Sequence, residues 1–237
     1  MTHREAVVLL SGGMDSATAL AWARAHGFRC HALAVDYGQR HRFELESARR
    51  VSAALGVAEL KLVTVDLRAI GGSALTADLP VPKDRDEAAI GAGIPDTYVP
   101  ARNTLFLAIA LGWAETIGAM DLVAGMNALD YSGYPDCRPE FIRAFEAVAK
   151  TGTRAGAEGG RFSIHTPLMA LDKAGIVRLG VSLGVDFALT HSCYDPAVDG
   201  AACARCDACR LRAKGFREAG VPDPTRYAGA LAHGSQA

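Results

Sequence analysis

Ala6-Val7-Val8-Leu9-Leu10-Ser11-Gly12-Gly13-Met14-Asp15-Ser16 decides how this chain is read. Its first five residues form a continuous apolar run, the mark of a strand buried on both faces of a parallel sheet. The run passes through two glycines into a stretch from Asp15 to His26, where Ala17, Leu20 and Ala21 fall at helical spacing and Gly27 supplies a left-handed cap. A strand that turns through glycines into a helix makes an anion cradle. Glycine lets the backbone approach closely, and the unpaired N–H groups at the helix start point at whatever binds there. Ser11 and Ser16 add hydroxyl donors. The loop lacks the Gly-Lys-Ser/Thr of a Walker loop and the Gly-x-Gly-x-x-Gly of a dinucleotide fold. Asp15 would repel a phosphate, and a magnesium ion between the two removes that repulsion. A plain glycine turn capped by Asp or Ser is the blander alternative. The position at the end of the first parallel strand, where open α/β sheets take their ligands, favours phosphate binding.

Outward from this loop, the pattern repeats. Cys30 to Val35 reads as a second strand, Phe43 to Leu55 as a helix closed by Gly56, and Leu60 to Val65 as a third strand. Residues 66–102, with Gly71-Gly72, Pro80, Pro82, Pro95 and Pro100, read as a long loop region. A helix over 103–117 follows, then a strand near Leu122 to Ala124 and a helix from Arg138 to Lys150. The glycine-rich stretch from Gly152 to Gly160 reads as a mobile loop, Phe162 to His165 as the last strand, and Leu171 to Leu183 as an amphipathic helix. Strand–helix units in series predict an α/β fold, an open parallel sheet with helices on both faces. Residues 1–190 would form the nucleotide-binding domain and 191–237 a small appendage packed on it.

Composition narrows the function. The 237 residues carry 25 Lys and Arg against 26 Asp and Glu, a net charge of −1, so a general nucleic-acid binder is disfavoured. Half the residues are apolar and 22% are charged, which argues against disorder. The longest apolar run, Leu105 to Ala114, is too short for a membrane span. Nothing in the first residues has the shape of a signal peptide, so the expected compartment is cytoplasmic. Thiols stay reduced there, and the six cysteines point to metal or catalysis before disulfides.

Cys193, Cys203, Cys206 and Cys209 are spaced Cys-x9-Cys-x2-Cys-x2-Cys. Four thiolates supply a closed tetrahedral zinc site with no open position for chemistry. Such a zinc would be structural, folding a tail with too little apolar surface of its own. An iron–sulfur cluster and unliganded thiols are the rivals. Arg205, Arg210, Arg212 and Lys214 would offset the thiolate charge. Cys30 falls in a strand and reads as core; Cys137 falls in a loop.

The Ser11–Ser16 block resembles the PP-loop, Ser-Gly-Gly-x-Asp-Ser, of the N-type ATP pyrophosphatases. Three further strings are distinctive: Asp36-Tyr37-Gly38-Gln39-Arg40-His41, Val99-Pro100-Ala101-Arg102-Asn103, and Asp130-Tyr131-Ser132-Gly133-Tyr134-Pro135-Asp136-Cys137-Arg138. With Thr166-Pro167-Leu168, His191-Ser192-Cys193-Tyr194 and the four cysteines, the chain resembles the 7-cyano-7-deazaguanine synthase family of queuosine biosynthesis over nearly its whole length. Ala204 and Ala208 depart from the expected Gly and Ser.

The resemblance implies an adenine nucleotide alpha hydrolase-like fold, an ATP-dependent ligase and a homodimer. ATP would adenylate the carboxylate of 7-carboxy-7-deazaguanine, ammonia would displace AMP, and a second ATP would activate the amide oxygen so that loss of AMP leaves the nitrile. It places Leu10, Ser11, Gly12, Gly13, Met14, Asp15, Ser16, Ala17 and Thr18 around the nucleotide and magnesium. Asp15, Arg102 and Lys173 would be catalytic. Asp130, Tyr131, Ser132, Tyr134, Asp136 and Arg138 would hold the heterocycle. Asn103 would instead cap the helix that follows it, and His41 is a weaker candidate. Competing readings are a PP-loop tRNA thiolase, a paralogue acting on another carboxylate, and a zinc module that binds nucleic acid.

Overall fold

Strand β1 (Arg4–Leu9) lies at the centre of the sheet, and its side chains divide between two cores. Residues two apart on a strand share a face, so Val7 enters one core while Ala6 and Val8 enter the other. β2 (Phe28–Asp36) repeats the division, with Leu33 and Val35 on one side and Cys30, Ala32 and Ala34 on the other. The chain is described here from a computed structural model covering residues 4–86, 89–90, 93–129 and 134–229. With β3 (Glu59–Thr64), β4 (Asp121–Val123) and β5 (Ser163–His165), the sheet runs β3-β2-β1-β4-β5, and every pairing is parallel.

Helices α1 (Met14–Ala25), α2 (Phe43–Leu55) and α5 (Lys173–Ser182) cover the alanine-rich face through Leu20, Val51 and Ile176. Helices α3 (Arg102–Ile117) and α4 (Pro139–Gly152) cover the opposite face through Leu107 and Phe145. Each fully buried Leu, Ile or Val contributes about 1.5–3 kcal/mol of hydrophobic stabilisation. The predicted open parallel α/β architecture is thus the observed one. The chain steps outward from β1 to β3, then crosses to β4 on the other side of β1. That reversal leaves a crevice at the carboxyl ends of β1 and β4, the place where open α/β sheets bind ligands.

Three expectations change. Gly152 to Gly160 is not a loose loop: Thr153 Oγ1 accepts from Gly156 N at 2.9 Å and caps a helical turn, Arg154–Ala157. Ala155 N donates to Glu115 Oε1 at 2.9 Å, which fixes the turn against α3. In the tail, a helix not anticipated from the sequence, α6 (Asp207–Ala219), sends Cys209 into one core and Phe216 into the other. Arg212 on this helix is buried, and its hydrogen bonds go to groups other than the thiolates. It donates to Asp223, to Thr190 Oγ1 at 2.8 Å and to the Phe187 carbonyl at 3.1 Å. Among the described residues, no helix is long and apolar enough to cross a membrane.

Candidate active site

The phosphate-loop geometry follows from two glycines. Gly12 adopts φ +88°, a left-handed conformation, and a Cβ there would collide with the Glu44 carbonyl. Gly13 is the N-cap of α1 and offers no side-chain cap, so first-turn N–H groups remain for an anion. Hydroxyls surround this opening. Ser11 Oγ lies 3.1 Å from Ser16 Oγ, and Ser16 Oγ donates to the Gly13 carbonyl at 3.0 Å. The loop is held from a distant part of the chain: His191 N donates to the Gly12 carbonyl at 2.9 Å, and Met14 N reaches Ser192 Oγ at 3.5 Å.

Asp15 and Lys173 meet at this helix start, with Lys173 Nζ 2.7 Å from Asp15 Oδ2. Lys173 is only 5% exposed. It is the first residue of α5, whose N-cap Asp172 accepts from Gly175 N at 2.7 Å. The other oxygen, Asp15 Oδ1, is buried with no hydrogen-bond partner among the described residues. An unpartnered buried carboxylate oxygen beside an anion site suits a divalent cation.

These groups open on a cavity of about 240 Å³ at the carboxyl ends of β1, β2 and β4. Leu10, Ser11, Gly13, Met14, Asp15 and Ser16 line it, as do Arg102 and Tyr134. Arg102 stands over the Tyr37 ring, 5.9 Å from its centroid. Tyr134 O–H pairs with Thr97 Oγ1 at 3.0 Å. Ala17 and Thr18 do not reach the cavity: both are fully buried, and Thr18 Oγ1 donates to the Met14 carbonyl at 2.8 Å.

Asp136 and Arg138 also lie outside its lining. Asp136 is a helix cap, its Oδ2 accepting from Asn103 N at 3.0 Å. Asn103 is therefore capped rather than capping, and its side-chain amide donates to Cys137 Sγ at 3.2 Å. Arg138 is exposed at the start of α4. Asp130, Tyr131 and Ser132 fall outside the described residues. Burial pushes the Cys137 thiol up to about 12, so it is no ready nucleophile. His41 packs against His191 with ring centroids 5.3 Å apart and does not line the cavity.

The four cysteines converge, their Sγ atoms all within 4.8 Å of one another. Zn–S bonds of about 2.3 Å would place tetrahedral sulfurs about 3.8 Å apart, so the spacing fits. Backbone N–H groups of Asp195, Cys203, Arg205 and Cys206 point at Cys193 or Cys203 Sγ, as a thiolate set requires. The long segment after β3 clamps this loop. Lys83 pairs with Cys206 in an isolated bridge and reaches Asp195 at 2.7 Å, while Arg85 pairs with buried Asp207.

Several site residues escaped the sequence analysis. Gly125, just past β4, lets two backbones touch: a Cβ there would lie 2.8 Å from Asp15 C. Tyr37, Gln39 and Tyr194 line the cavity and lie in strings singled out as distinctive, without assigned roles. Glu44 also lines it, and burial pushes its carboxyl up to about 7. Its place in the first turn of an ordinary amphipathic helix gave no signal.

Comparison with known proteins is consistent along the chain. The family described as "Queuosine biosynthesis protein QueC" matches residues 5–220. A protein of Myxococcus xanthus named 7-cyano-7-deazaguanine synthase is 63% identical over 224 residues, covering 94% of this chain and 97% of its own. One of the same name from Solidesulfovibrio magneticus is 64% identical over 225 residues, covering 94% and 96%. Among solved structures, a 4-thiouridine synthetase–RNA complex with bound ATP is 22% identical, covers 78% of this chain and 42% of its own, and has a TM-score of 0.49.

Proposed function

Because the chain belongs to the QueC family of queuosine biosynthesis proteins, we propose that it converts 7-carboxy-7-deazaguanine and ammonia into 7-cyano-7-deazaguanine at the expense of ATP. One observation supports this most: the Ser-Gly-Gly-x-Asp-Ser loop and half-buried Arg102 face one cavity, and Lys173 pairs with Asp15 at its edge. The first-turn N–H groups of α1, with Ser11 and Ser16, would hold the phosphates. Lys173 would counter charge that develops as the α–β phosphate bond breaks. A divalent cation held by Asp15 would offset phosphate charge at the same place.

In this reading the substrate carboxylate attacks the α-phosphorus of ATP and pyrophosphate leaves. Ammonia then attacks the acyl carbon, AMP leaves, and a proton is lost. The amide oxygen attacks a second ATP, again releasing pyrophosphate, and departure of AMP with loss of both amide N–H protons leaves the nitrile. A hydroxide or oxide leaves poorly where AMP leaves well, so the chain contributes chiefly position and charge. Arg102 would orient the carboxylate, and Tyr134 would flank the ring.

The reading assigns zinc to Cys193, Cys203, Cys206 and Cys209 as structural glue, with residues 1–190 as the nucleotide-binding body and 191–237 as the clipped tail. It further includes a cytoplasmic location and a homodimer. The thiolase alternative is disfavoured because Cys137 is buried with a raised thiol and the remaining tail cysteines share one cluster. Mass spectrometry after incubation with ATP, magnesium, ammonium and 7-carboxy-7-deazaguanine tests the proposal. Nitrile and AMP are the expected products; ADP alone, or no nucleotide consumption, overturns it.

A further inference from the structure

We propose that Glu44 reads the substrate's heterocycle, its carboxylate accepting the two parallel N–H groups of the 2-amino-4-oxopyrimidine edge. The inference rests on the synthase reading, which supplies that heterocycle. Among the described residues, the cavity lining contains two carboxylates, Asp15 and Glu44. Asp15 is engaged by Lys173 at the helix start. Asp136, the other acidic candidate among the described residues, gives one carboxylate oxygen to the cap of α3 and does not line the cavity.

Glu44 is placed with some precision. Its carbonyl abuts Gly12, which fixes the first turn of α2 against the phosphate loop. Its carboxyl lies within electrostatic reach of Tyr37 and Arg102, both of which face the cavity. Among the described residues, no hydrogen bond or close ion pair satisfies it. Burial pushes it up to about 7, so the protein alone does not compensate its charge. A ligand edge with two parallel N–H donors would do so, by the fork geometry that matches planar donor pairs to carboxylates. Tyr37 and Phe106, packed on each other with ring centroids 5.6 Å apart and planes at 52°, give the cavity an aromatic wall for a flat ring to lie against. Arg102 then faces the opposite, acidic end of the substrate.

The test compares the acid with its 2-desamino analogue in wild type and in Glu44→Gln. A site built to accept an N–H rejects an analogue lacking it strongly, so wild type should prefer the natural acid by at least about 100-fold in kcat/KM. Glu44→Gln should shrink that preference to under about tenfold and raise KM for the acid, with KM for ATP nearly unchanged. Glu44→Asp, which keeps the charge, should recover part of the preference. Metal content and circular dichroism check that both variants fold. If wild type forms nitrile but Glu44→Gln keeps the full preference, or raises KM for ATP alone, the inference fails while the synthase reading stands. If wild type forms no nitrile, the synthase reading fails and this inference with it.

Discussion

Lys173 sits where almost no water reaches, paired with Asp15 at 2.7 Å. Removing one member of a buried ion pair leaves the other uncompensated, which costs about 3–5 kcal/mol. Asp15→Ala should therefore lower stability by about 3 kcal/mol in urea denaturation as well as abolish turnover. Asp15→Asn should weaken magnesium-dependent ATP binding by at least about tenfold in calorimetry, more than 1.4 kcal/mol. Glu44 behaves in the opposite sense. Its folded carboxyl, at about 7, sits above the ordinary 4.5, so the unfolded chain releases this proton first as pH rises. Ligand-free protein should thus lose stability between pH 4.5 and 7 from this group, and Glu44→Gln should flatten that part of a melting-temperature profile. Asp15 and Lys173 were legible in sequence because a loop string and a helix start announced them. Glu44 was not, since its role depends on how the first turn of α2 sits over Gly12.

At the scale of elements, the strands and long helices were readable from periodicity, and their ends moved by only one or two residues. The stretch misread as mobile, Gly152 to Gly160, is one in which glycine serves packing. Gly156 is buried against the end of α4, where a Cβ would strike the Lys150 backbone. Gly180 lies where α5 meets Phe187 and Thr18, and a Cβ would sit 2.9 Å from Thr18 Oγ1. Gly180→Ala gains helix propensity yet overfills this contact. Its net effect should be a loss of about 1–3 kcal/mol, seen as a lower thermal midpoint. Cap identity was also hidden: α3 begins after Ala101 at φ 54°, and its cap comes from Asp136, 33 residues beyond the Asn103 N–H it accepts from. No local pattern reports such a partner.

For the whole molecule, the spacing of the cysteines announced their clustering, but not how far into the protein the supports of that cluster reach. Gly215 of α6 packs against Lys173, where a Cβ would come 2.6 Å from the lysine's own Cβ. The cysteine loop is gripped by Lys83 and Arg85, and its first cysteine follows directly on the His191–Ser192 ties to the phosphate loop. Cys206→Ser should therefore lose bound zinc by elemental analysis and, with it, much of the affinity for ATP, although Cys206 lies outside the cavity lining. The latch of His191 on Gly12 also bears on biogenesis. During synthesis the phosphate loop leaves the ribosome well before its brace, which lies some 180 residues behind it. A nascent or prematurely terminated chain thus displays the whole Ser11–Ser16 signature while lacking the means to hold it in shape, so unfinished copies should leave the cell's ATP untouched.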